Sequence, residues 1–160
     1  MKSEKIRKKL QELIVNFEHE LGSDDLRGKV LALVPCFRHL RELGKSLIPA
    51  EVVKSARDRI LHYFLKYPRV ILSGNELLVV SGIQEYARRV RELKVQFGWS
   101  IVSGVTAKEM AAENEFLLKD VDFESMEPSD YILISEKQDR DAAFHGSSQM
   151  IFEKEKNRGA

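Results

Sequence analysis

The run "SGNELLVVSGI", Ser73 to Ile83, constrains this chain more than any other stretch. Ser73 with Glu76 three residues on has the spacing of a capping box, in which a hydroxyl and a carboxylate each satisfy the other residue's backbone N–H at a helix start. Ser81-Gly82 then breaks the pattern, and glycine is the residue that takes a positive φ without strain. The spacing predicts a short helix from Gly74 to Val80, a tight turn at Ser81-Gly82, and a new helix from Ile83 or Gln84 to about Phe97. Ile83 would lock that helix onto its neighbours. With a helix before them, these pieces make a helix-turn-helix.

The flanks supply the rest of the unit. A helix from about Pro49 to Lys66 would bury Val52, Val53, Ala56, Ile60, Phe64 and Leu65, with Pro49 suited to its first turn. Gly98 ends the third helix. "WSIVSG" and, after an acidic stretch, "YILIS" from Tyr131 read as two short strands, which would make the unit winged. Trp99 is expected to anchor the wing in the core. Upstream, a helix over 3–21, capped by Ser3 and ended by Gly22, pairs with a second that starts at Ser23, Asp24 or Asp25. Leu26, Val30, Leu33, Phe37 and Leu40 share one face of that second helix, Pro35 would kink or interrupt it, and Gly44 would close it. The stripe packs on the rest of the domain or forms a dimer interface.

The expected fold is therefore mainly α. A helical hairpin over 1–46 precedes a winged helix-turn-helix over 47–135 with an acidic insertion at about 105–129, and 136–160 form a polar linker or tail.

Charge is distributed unevenly along this order. The formal net charge is only +1, yet residues 52–104 hold nine Lys/Arg against four Asp/Glu, and residues 105–135 hold two against eight. A basic middle followed by an acidic stretch raises the case for a polyanion partner near the middle. No run approaches 18 apolar residues, and no apolar signal core follows the basic N-terminus, so neither a membrane span nor secretion is expected. The single Cys36 reads as a buried thiol. A cytoplasmic protein fits these features.

The basic residues of the third helix are the candidate site. At about 100° per residue, Ile83, Tyr86, Ala87, Val90, Leu93 and Phe97 gather on the core side. Gln84, Arg88, Arg91 and Glu92 lie opposite, with Glu85 and Arg89 toward one edge. Recognition helices meet base edges mostly through their N-terminal part. Gln84, Glu85 and Arg88 are thus candidates for base contact, since Gln pairs with adenine and Arg with guanine in the major groove. Arg89, Arg91 and Lys94 suit phosphates, and Lys54, Arg57, Arg59, Lys66 and Arg69 could add backbone contacts. The bland alternative is a solvated face in which Glu85 pairs with Arg88 and Arg89 within the helix.

The run "RDRILHYFLKYPRVILSGNELLVVSGIQEYARRVRELKVQFGWSIVSG", with "DYILISEKQDRDAAFH" after it, resembles the winged helical module found upstream of HNH endonuclease domains in some bacterial proteins. The resemblance covers roughly residues 56–104 and 130–145, and "ARRVREL", followed by Gly98-Trp99 and Ile101, is its most specific part. It implies a module that brings double-stranded DNA to a nuclease, with 141–160 as linker toward that domain. Nuclease chemistry does not carry over to this chain. His19, His39, His62 and His145 are isolated, with no His-Asn-His or Cys-x-x-Cys context.

Other chemistry has weaker support. "DVDFE", Asp120 to Glu124, alternates acids but reads as a solvated loop rather than a Mg²⁺ site. No glycine-rich phosphate loop follows a strand, and no serine has a His-acid partnership. The expectation is a DNA-binding module, the targeting part of a nuclease or regulatory protein, with no enzymatic activity, catalytic residue, cofactor or metal of its own. The alternative is a protein-interaction module whose hairpin forms a homodimer.

Overall fold

A computed structural model describes residues 2–113 and 118–141. The expected tail lies mostly outside them, His145 included.

The fold is mainly helical with one two-stranded antiparallel sheet. Helix α1, Lys2–Asn16, runs into a single turn α2, Glu18–Leu21, with a break at Phe17. Ser3 does not cap this helix. It lies inside it, and its hydroxyl bonds the Ser46 hydroxyl at 2.9 Å, which ties α1 to the far end of α3, Leu26–Ser46. Asp25 takes the N-cap position of α3. The helix passes Pro35 without interruption, and Gly44 sits buried within it rather than at its end. The reason is contact: a Cβ on Gly44 would meet the Val79 carbonyl oxygen at 2.5 Å, so glycine here lets α3 approach the next unit.

That unit is built from α4, Ala56–Lys66, α5, Gly74–Ser81, and α6, Tyr86–Val95. Helix α4 starts later than the Pro49 signal suggests, because the Ser55 hydroxyl accepts the Asp58 N–H and caps it there. Val52 is consequently exposed, and Leu65 faces outward as well. The capping box forms as expected: Ser73 Oγ accepts the Glu76 N–H at 3.1 Å, and Glu76 accepts the Ser73 N–H at 2.6 Å. Gly82 ends α5 in the left-handed region at φ 71°. The turn spans 82–85, so α6 begins at Tyr86, later than the Ile83 or Gln84 expected.

Strands β1, Ile101–Ser103, and β2, Tyr131–Leu133, pair in the register Ile101–Leu133, Val102–Ile132 and Ser103–Tyr131. Alternation along both strands divides the interior into two cores. Ile101 and Leu133 join Ile60, Phe64, Leu72, Leu77, Val80, Val90 and Leu93 in the first, and Trp99 packs against it. Val102 and Ile132 face the second, with Ala107, Phe123 and Met126. The acidic stretch is therefore not a plain solvated loop. It contributes helix α7, Gly104–Ala112, and a 3-10 turn, Phe123–Ser125, whose apolar side chains cover the second face of the sheet. Among the described residues no helix is long and apolar enough to cross a membrane.

Candidate nucleic-acid interface

The turn before α6 is held from beneath by one arginine. Arg59 is 6% exposed and reaches across from α4 to the end of α5. Its guanidinium donates to the carbonyls of Val80 at 3.2 Å, Ser81 at 2.6 Å and Lys54 at 3.0 Å. Helix ends leave carbonyls without partners, and a buried cation at a helix C-terminus also meets the favourable end of the dipole. Burial lowers the Arg59 pKa, a pull that the charges of Glu42 and Asp58 oppose. Arg59 is thus a bracket for the turn and cannot serve as the backbone contact expected of it. From above, the stems of Lys45 and Arg41 lie over Gly82.

On this mount, Gln84 and Glu85 occupy the turn rather than the first turn of the helix, and both are exposed. Glu85 stands at the N-cap position without a side-chain cap, and its carbonyl accepts the Arg88 N–H at 3.1 Å. Arg88, Arg91 and Lys94 then follow at three-residue intervals along the exposed side of α6. No ion pair engages Arg91 or Lys94 among the described residues.

The other edge of α6 departs from the helical-wheel expectation. Glu92 does not lie outward with Arg88 and Arg91; its side chain is 15% exposed and turned toward α4. Arg89 Nη1 donates to both of its carboxylate oxygens, at 2.8 and 2.9 Å. Arg88 Nε stands 3.7 Å from it, and Arg57 Nη1 from α4 stands 3.9 Å from it. The Arg57 guanidinium also lies over the Phe97 ring, 4.5 Å from its centroid. Glu85 forms no ion pair with Arg88 or Arg89 among the described residues; Glu92 takes that place.

Arg69 comes from another segment. It sits in the loop between α4 and α5 with φ 58°, and its N–H is bonded to the Leu133 carbonyl at 2.9 Å. A non-glycine residue in that region is uncommon. The start of the expected tail also has a fixed place: Gln138 Nε2 donates to the Phe97 carbonyl at 2.5 Å, and the Asp139 N–H to the Gly98 carbonyl at 2.9 Å.

Two open depressions flank α4, of about 520 and 550 Å³. The Tyr63 hydroxyl in the second donates to Glu76 at 2.8 Å. Burial and that hydrogen bond push the Tyr63 pKa up to about 12. Among the described residues no three His, Cys, Asp or Glu side chains converge to hold a metal ion.

Residues 57–134 match the family described as the KpnI N-terminal domain. The match takes in α4, α5, α6, both strands and the insertion between them, and leaves out the hairpin. No curated protein and no solved structure matches the chain.

Proposed function

We propose that this chain carries a module that binds duplex DNA through α6 and the turn before it, as the targeting part of a nuclease or a regulatory protein. The observation that carries the reading is the row Arg88, Arg91 and Lys94, exposed on the last helix of a helix-turn-helix whose turn is bracketed from inside by Arg59. The matched family is described as the KpnI N-terminal domain, which supports a module associated with a restriction enzyme. Gln84, Glu85 and Arg88, at the leading end of α6, are assigned to base edges. Arg91 and Lys94 are assigned to phosphates, with Arg57 and Arg69 as further cations, while Arg89 is engaged by Glu92. In this reading the module supplies address rather than catalysis.

The test is binding of a labelled duplex by the whole chain at two salt concentrations. Phosphate contacts release counterions, so affinity should fall by about a thousandfold between roughly 50 and 200 mM salt for six or more contacts, and proportionately less for fewer. Arg88→Ala with Arg91→Ala should abolish binding. No duplex binding by the wild type at low salt overturns the reading.

A second reading has an observation of its own. Leu26, Val30, Val34, Phe37 and Leu40 form a stripe on α3 that faces away from α1, and Phe37 is 73% exposed. Contiguous apolar faces of this kind mark interaction surfaces. The reading is a protein-interaction module in which this stripe pairs with a second copy. Light scattering should then give twice the monomer mass, and Phe37→Asp should return it to monomer; a monomer at every concentration removes this reading.

A further inference from the structure

The arrangement around Glu92 bears on how strongly the proposed interface grips a polyanion. One carboxylate there faces three guanidiniums that come from two helices: Arg88 and Arg89 from α6 and Arg57 from α4. Arg89 spends one nitrogen on both carboxylate oxygens, while Arg88 and Arg57 stand just beyond hydrogen-bond reach, at 3.7 and 3.9 Å. Arg57 is further steadied by the Phe97 ring. A phosphate has the same two attributes that Glu92 offers these groups, negative charge and paired oxygens, and guanidinium forks bind both. Glu92 is an acid within a helix whose other charged side chains, Arg88, Arg89, Arg91 and Lys94, are all cationic.

We infer that Glu92 is an intramolecular stand-in for phosphate, which occupies Arg89 and partly neutralises Arg57 and Arg88, and so sets the affinity for non-specific DNA low. The inference rests on the DNA-binding reading and sharpens it. In the free protein Arg91 and Lys94 are the cations open to phosphate, and Arg88, 68% exposed, keeps most of its reach. Arg89 becomes available only where DNA displaces the carboxylate, which a well-fitted duplex accomplishes and a loosely held one does not. Selectivity follows from the difference between those two states rather than from added contacts.

The experiment compares wild type, Glu92→Gln, the double variant that adds Arg89→Gln, and Arg91→Gln, with a random-sequence duplex as the probe and a thermal melt of each protein as the fold control. Glutamine keeps the size and an acceptor for Arg89 but removes the charge. Glu92→Gln should tighten binding about tenfold at low salt and steepen the dependence of log affinity on log salt by about one. Arg89→Gln should cost affinity in the Glu92→Gln background, where Arg89 is free to meet phosphate, and so return the double variant to about the wild-type affinity and salt dependence. If Glu92→Gln melts early, the double variant set beside Arg91→Gln still decides, because it exchanges a neutral pair for a neutral pair and should keep the wild-type affinity, whereas Arg91→Gln should lose it. Unchanged or weaker binding by a folded Glu92→Gln, or equal losses for the double variant and Arg91→Gln, overturns the inference while the DNA reading stands. Failure of the wild type and Glu92→Gln alike to bind the duplex overturns both.

Discussion

Arg59 Nη2 donates to the Ser81 carbonyl oxygen at 2.6 Å, and this bond joins the first helix of the three-helix unit to the last residue of the second. The same guanidinium holds the Val80 and Lys54 carbonyls. Three backbone groups therefore depend on one side chain.

Arg59→Met is expected to destabilise the protein by about 3 kcal/mol, since hydrogen bonds to a charged group contribute roughly 1.5–3 kcal/mol and two of the three stranded carbonyls, those of Val80 and Ser81, are buried. Urea denaturation measures it. Arg59→Lys should not rescue, because an ammonium lacks the planar fork that spans these carbonyls. A lysine variant as stable as wild type would show that charge alone suffices.

Two glycine substitutions should rank against what their φ values suggest. Gly82 has φ 71°, and a methyl there would meet the stems of Lys45 and Arg41, side chains that can move aside, so Gly82→Ala is expected to cost about 2 kcal/mol, most of it from the backbone. Gly104 has no such φ, yet a methyl there would overlap the Glu127 carbonyl, which is backbone and cannot swing away. Gly104→Ala should cost more, about 3 kcal/mol, as overpacking does. The order of their thermal midpoints checks the ranking.

Removal of the acidic stretch is a test of folding before it is a test of DNA repulsion. Phe123 and Met126 fill the second core, so deletion of 107–128 uncovers Val102 and Ile132. Phe123→Ala alone should cost about 3 kcal/mol. The combined change Asp120→Asn, Asp122→Asn and Glu124→Gln touches exposed groups and should shift stability by no more than about 0.5 kcal/mol. That triple variant is the one with which to ask whether the acids repel DNA, by a rise in duplex affinity without a change in the melt.

Acid should weaken the fold through Glu76. Burial alone would raise its pKa, but the hydrogen bonds from the Ser73 N–H, the Tyr63 hydroxyl and the Ser73 side chain outweigh it and hold the carboxyl below its ordinary range. A folded-state value below the unfolded one contributes stability that is present above the unfolded pKa and lost as pH falls through the folded one. Tyr63 works in the opposite range: its value, raised to about 12, contributes stability that is lost as pH climbs from about 10 toward 12. Glu76→Gln should flatten the acid limb of a plot of stability against pH. An acid limb identical to wild type would exclude Glu76 as its source.

Local chemistry was what the sequence made legible. Ser73, Glu76 and Gly82 announce a capped helix and its left-handed stop, because the partners in each motif lie within three residues or in one backbone dihedral. The strands at Ile101 and Tyr131 read correctly for the same reason. Whatever depends on a distant partner stayed hidden. Arg59 counted as one more surface cation, although two of the three carbonyls it serves lie 21 and 22 residues away. Glu92 falls outward on an ideal wheel, yet its carboxylate meets Arg89 of its own helix and stands 3.9 Å from Arg57 on another. Phe123 and Met126 did carry a signal, two apolar side chains at three-residue spacing inside an acidic run, and charge masked it.

Gly44 has a mechanical consequence. Because it brings α3 against the Val79 carbonyl while Lys45 and Arg41 lie over Gly82, the C-terminal end of α3 is seated on the same turn that aims α6. At 1.5 Å per residue the helix extends about 30 Å from that seat to Leu26. The apolar stripe and the turn that aims α6 are therefore joined by one continuous helix, so whatever settles along the stripe is held on the same element that seats the turn.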